Sequence, residues 1–134
     1  MLGAIIGDIV GSRFEWHNLK SKEFELFTSA CKPTDDSVMT LAVAKAILQF
    51  RDGAENLSEA AVACMQELGR RYPHSGYGGA FRRWLQSENP QPYGSYGNGA
   101  AMRVSACGFA AQSLEEAIEL AHTVTAVTHN HPEG

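Results

Sequence analysis

Residues 36–50, "DSVMTLAVAKAILQF", constrain the fold more than any other stretch of the chain. On a helical wheel the apolar side chains of this segment fall on nearly every side. A helix of that kind is largely buried, because a surface helix keeps one polar face. Other helices must therefore surround it. Two further amphipathic stretches can do so. In residues 58–72, Val62, Met65, Leu68 and Tyr72 make one stripe, with Glu59, Gln66, Glu67, Arg70 and Arg71 largely off it. In residues 113–127, Leu114, Ala117, Ile118, Ala121 and Val124 make another. That last segment opens with "SLEE", where Ser113 and Glu116 suit a capping box.

Shorter helices are predicted at residues 2–9, 79–85 and 99–110. Strict alternation never lasts long enough to make a strand, and "TVTAVT" continues a helical stripe. Pro, Gly, Ser and Asn gather at about 13–33, 73–78 and 86–97, which read as loops. The expectation is a single all-α domain over residues 1–134.

Composition narrows the function classes. Hydrophobic residues make up 44% and charged residues 19%, which supports a packed core rather than disorder. The formal net charge is −4 and no Lys/Arg run occurs, so no nucleic-acid footprint is expected. Cys31, Cys64 and Cys107 are far apart and form no CxxC pair, which fits reduced thiols in a cytoplasmic protein. The N-terminal "MLGAIIGDIVGS" is apolar but short, lacks a basic leader and is interrupted by Asp8; neither a signal peptide nor a membrane span is predicted.

Four runs are unusual for plain packing. In "GDIVGSRFEW", Asp8 lies in an apolar helix between Gly7 and Gly11, either as a cap or where backbone approaches a ligand; Glu15 sits between Phe14 and Trp16, as a surface or a functional carboxylate. In "PTDDSVMT", Thr34, Asp35 and Asp36 precede the buried helix. They read either as its cap or as oxygen ligands for a hard cation such as Mg²⁺. In "YGSYGNGAAMR", the glycines permit close backbone approach, Asn98 can donate and accept hydrogen bonds, and Tyr96 can stack on a ring or bond a phosphate. In "THNHPEG", His129 and His131 lack a third ligand at zinc spacing, so a loop histidine touching substrate fits better.

Taken in order, "GDIVGSRFE", "TDDS", "GSYGNGAAMR" and "THNHPEG" resemble the ADP-ribosylglycohydrolase family, the dinitrogenase-reductase-activating type of ADP-ribosyl hydrolase. The resemblance implies a compact orthogonal helical domain with a binuclear Mg²⁺ centre, Mn²⁺ being a possible substitute. It implies that Thr34, Asp35 and Asp36 are metal ligands and that Glu15 and Asp36 are the catalytic carboxylates, either being a candidate base. Ser95, Tyr96, Gly97, Asn98 and His129 would bind substrate. The implied reaction is Mg-dependent hydrolysis of the bond joining ADP-ribose to a protein side chain or small acceptor. The implied partners are an ADP-ribosylated protein or an ADP-ribose-type small molecule.

The family's second acidic motif, of the form Asp-x-Asp-Thr, has no counterpart here, and Asp52 is the last aspartate. The domain is therefore expected to lack its C-terminal part, to be weakly active alone and to form a homo-oligomer. The competing reading is a non-catalytic ADP-ribose-binding or structural protein, as the family also includes lens crystallins. A metal-dependent phosphohydrolase would use the same oxygens but leaves the Tyr-Gly-Asn-Gly run unexplained.

Overall fold

The segment that must be buried forms helix α2, Asp35–Arg51, and the rest of the chain is arranged around it. A computed structural model describes residues 1–133. The other helices are α1 (Leu2–Gly11), α3 (Leu57–Arg71), α4 (Gly79–Gln86), α5 (Ser105–Ala110) and α6 (Leu114–Ala126). Two 3₁₀ turns occur, at Ser12–Phe14 and Ala101–Arg103. No strand occurs among the described residues, so the all-α expectation holds.

Helix α2 packs on α1, α3, α5 and the second 3₁₀ turn, and it buries Val38, Met39, Ala42, Val43, Ala46 and Ile47. It is not covered on every side: Leu48 is 65% exposed and Leu41 is also exposed. Helix α3 lies along α2 and buries Leu57, Ala61, Cys64, Met65 and Gly69. Of the predicted stripe, Met65 is buried and Val62 and Leu68 pack against the core, while Tyr72, just past the helix end, is exposed. Gly69 lies on the same buried face. A Cβ there would come within 2.6 Å of Leu85, so the missing side chain lets α4 lie against the α3 backbone. Side chains of α3 then close the end of α4: Gln66 donates to the carbonyls of Trp84 and Ser87, and Arg70 Nε donates to that of Leu85 at 2.7 Å.

Three other expectations are corrected. In α6 the buried positions are Leu120 and Val124, while Leu114 and Ile118 are 71% and 61% exposed. Helix α6 meets the core through α3 and α5, and the Leu120 face is the one they cover. At its start Ser113 accepts from the Glu116 amide as predicted, but Glu116 accepts from the Gln112 amide and from Arg51 rather than closing a reciprocal box. The helix expected over 99–110 is broken into the 3₁₀ turn Ala101–Arg103 and α5. The break accompanies the burial of Arg103, whose guanidinium reaches carbonyls of α6. No described helix is long and apolar enough to cross a membrane.

Candidate active site

The site grows from the N-terminus of α2. The first amides of a helix have no partner within it and must find one elsewhere. Here Asp35 N donates to the Ser75 carbonyl at 2.7 Å, Asp36 N to Thr34 Oγ1 at 3.3 Å, and Ser37 N to Asp8 Oδ2 at 3.2 Å. Asp8 also accepts from Thr34 N at 2.8 Å and from the hydroxyls of Thr34 and Ser37. Its carboxylate thus takes four hydrogen bonds from the "TDDS" segment. Asp8 is a cap, but for α2 rather than for its own helix. Its charge also sits at the positive end of the α2 dipole. With those amides engaged, α2 presents the side chains of Asp35 and Asp36 to its surroundings and offers no free N–H seat for an anion.

Two clefts flank this helix start. The larger, about 670 Å³, is lined by Asp8, Glu15, Thr34, Asp36, Asn98 and Met102, among others. The smaller, about 280 Å³, is lined by Asp35, Ser95, Gly97, Asn98 and His129, with Tyr93 and Arg103 also on its wall. Asn98 and Met102 belong to both, so the clefts share a wall. Asp35 and Asp36 are divided between them. Adjacent residues on an α-helix point about 100° apart, which accounts for the division.

The loop carrying "YGSYGN" is held against "THN" by the backbone. Ser95 N and Tyr93 N both donate to the Thr128 carbonyl, at 3.2 and 3.4 Å. Gly94 N donates to Asn130 Oδ1 at 2.6 Å. Gly94 has φ of 66°, a left-handed conformation that favours glycine. His129 is buried, its Nε2 lies 3.0 Å from Ser95 Oγ, and its ring faces Gly99. Tyr96 is 70% exposed and stands against His131, with ring centroids 5.1 Å apart, rather than in the lining of either cleft. Four segments scattered through the chain are thereby gathered at one end of α2.

Residues 1–134 match the ADP-ribosylglycohydrolase family throughout. The chain belongs to that family. It is 30% identical to the protein named ADP-ribosylhydrolase ARH3 of Xenopus tropicalis, an alignment that takes in 96% of this chain and 43% of that protein. Against the protein of the same name from Mus musculus it is 28% identical, over 96% of this chain and 42% of the relative. The chain therefore spans less than half the length of these relatives.

The electrostatics of this ADP-ribosylglycohydrolase chain suit a cation at the α2 start. Burial raises the Asp35 carboxyl to about 6, opposed by a backbone hydrogen bond and reinforced by the charges of Asp36, Glu15 and Asp8. Burial also raises Asp36, with Asp8 and Glu15 adding to it. Crowded carboxylates with no cation beside them take up protons more readily, and a hard divalent ion relieves the same repulsion. The donors are all oxygen, as Mg²⁺ requires. Their number is short. Among the described residues no three His, Cys, Asp or Glu side chains converge in a metal-holding group. The Thr34 hydroxyl already bonds Asp8 and the Asp36 amide, and the Asp8 oxygens are occupied. The residues present thus fit part of a divalent-cation site.

Sequence reasoning named Ser95, Gly97, Asn98 and His129, which meet in the smaller cleft, and Glu15, Thr34 and Asp36, which meet in the larger. It did not give a role to Arg103 or Thr128. Arg103 closes the "GNGAAMR" run, and Thr128 opens "THNHPEG". No local pattern of that run signals its burial, which rests on carbonyls of α6.

Proposed function

We propose that this chain carries the substrate-binding wall and part of the metal centre of a Mg-dependent ADP-ribosyl hydrolase. The supporting observation is the pair of clefts sharing Asn98 and Met102, one walled by Asp8, Glu15 and Asp36 and the other by glycines, hydroxyls, an imidazole and Asp35. A ligand with diphosphate and ribose groups needs both surfaces. Ser95, Gly97, Asn98 and His129 would take the phosphate and sugar oxygens, and Tyr96 would close over the outer rim. Thr34, Asp35 and Asp36 would hold Mg²⁺ or Mn²⁺, two ions in a complete site. Bound there, the metal would supply charge stabilisation and a more acidic water for attack on the anomeric carbon. Glu15 and Asp36, in the larger cleft, would orient that water and accept its proton. The water oxygen would bond to the anomeric carbon as the bond to the acceptor breaks, the acceptor would take up the proton lost by the water, and ADP-ribose would leave.

The short donor set favours one further reading, a chain that binds ADP-ribose without turning it over. Three measurements separate these. Calorimetry should show Mg²⁺ binding that is lost in the Asp35→Asn/Asp36→Asn double variant. NMR titration should show ADP-ribose, more than AMP, shifting the amides of residues 95–98. Release of ADP-ribose from a modified peptide in millimolar Mg²⁺ should be weak, because two free carboxylates hold two ions poorly against water. Equal metal affinity in wild type and variant, or no shifts at millimolar ADP-ribose, would overturn the assignment. Binding with no turnover at all would select the non-catalytic reading.

A further inference from the structure

Arg103 is 1% exposed and, among the described residues, has no carboxylate in ion-pair reach. Burial lowers it to about 10, so it is still a cation at neutral pH. Its NH2 group donates to the carbonyls of Val124 and Thr125 and, at 2.8 Å, to Thr128 Oγ1, while its Nε has no partner. A buried cation held by neutral oxygens and by the Phe81 ring, whose centre lies 5.9 Å from the guanidinium carbon, is costly, and it imposes a direction on the hydroxyl that accepts from it.

That direction can be followed outward. Thr128 Oγ1 accepts from Arg103, so its own proton must go elsewhere. Two acceptors are near: the Thr125 carbonyl at 3.3 Å and His129 Nδ1 at 2.7 Å. The Thr125 carbonyl already receives the amides of Thr128 and His129 and the Arg103 guanidinium. Its two lone pairs are already shared among three donors, so a fourth, at 3.3 Å, is a poor bond. The shorter contact and the crowding of the Thr125 carbonyl both place the Thr128 proton on the bond to Nδ1. The Arg103 charge opposes the alternative, an N–H on Nδ1 facing it. His129 then carries its proton on Nε2 and donates to Ser95 Oγ at 3.0 Å. Ser95 Oγ also accepts from the Gly97 amide at 3.4 Å. With both acceptor positions used, the Ser95 hydroxyl proton is left to donate to an acceptor in the smaller cleft, which Ser95 lines.

We propose that Arg103 and Thr128 are positioning residues that lock His129 as the Nε2–H tautomer and so make Ser95 a fixed hydrogen-bond donor to an anionic oxygen lodged in the smaller cleft. The tautomer does not depend on the proposed function. The choice of a phosphate oxygen as acceptor rests on that reading.

Long-range ¹H–¹⁵N NMR of the histidine rings reads the tautomer directly. Wild type should show a protonated Nε2 and an unprotonated Nδ1 at His129. Thr128→Val keeps the shape, removes the hydroxyl, and should give a mixture of tautomers with about tenfold weaker ADP-ribose binding. Thr128→Ser should restore both readouts. A wild-type Nδ1–H ring overturns the proposal, whether or not Thr128→Val folds. So does a Thr128→Val protein whose tautomer and affinity match wild type. If wild type has the Nε2–H ring, Thr128→Val loses it, and neither protein binds ADP-ribose, the relay stands and the nucleotide reading falls.

Discussion

Replacing Asp8 with alanine removes the side chain that hydrogen-bonds α1 to the start of α2. Four donors lose their acceptor: the amides of Thr34 and Ser37 and the hydroxyls of the same two residues. The hydroxyls can rotate to water. The amides are fixed by the helix, and each costs about 1 kcal/mol or more when left without a protein partner. Loss of a negative charge at a helix N-terminus removes about 0.3–1 kcal/mol more. One effect runs the other way. Asp8 repels Asp35 and Asp36, and its removal relieves that repulsion. In a cleft open to water this relief is worth less than about 1 kcal/mol. Hydrogen bonding wins, and the net loss is about 2 kcal/mol. With an unfolding entropy of about 2.1 cal/mol/K per residue, the midpoint should fall by about 7 °C. Asp8→Asn keeps one acceptor oxygen and should lose about half as much. Urea unfolding followed by circular dichroism at pH 7 without divalent ions measures both. An Asp8→Ala protein within about 0.5 kcal/mol of wild type would refute the capping argument, and a more stable one would show that charge repulsion dominates.

Asp35 should make stability depend on pH. Its folded carboxyl titrates near 6 against an ordinary 3.8, so the folded state holds the proton more tightly than the unfolded chain does. Its contribution is therefore present below about 4 and is lost as the pH rises to about 6. Asp35→Asn should be more stable than wild type at pH 7 and show a shallower fall between pH 4 and 7; urea midpoints across that range with no such difference would remove burial as the cause. Leu48 on α2, Leu114 and Ile118 on α6 and Leu2 on α1 are exposed, so sedimentation velocity should show self-association of the 134-residue chain, and a monomer at high concentration would contradict it.

Helix content was legible in the sequence because it rests on local terms. Apolar spacing marked α2, α3 and α6, and Thr34 and Ser113 are seen capping the helices that follow them. The family was legible for a different reason: four short runs of unusual residue types occur in a fixed order. What tertiary structure decided is which face each helix buries and which residues meet. Leu114, Ile118 and Val124 lie on one plausible apolar stripe, yet of these only Val124 is buried, and α3 and α5 cover Leu120, which lies off it. Asp8 reads as a residue of α1, but its carboxylate serves α2, 26 residues further on. Asp35 and Asp36 are neighbours in sequence and line different clefts, because helical geometry separates their directions. The burial of Arg103 depends on carbonyls of α6 some 21 residues away, which no local pattern around "GNGAAMR" encodes. Periodicity and capping act over one or two helical turns, whereas the site is assembled from contacts that exist only once the helices have packed.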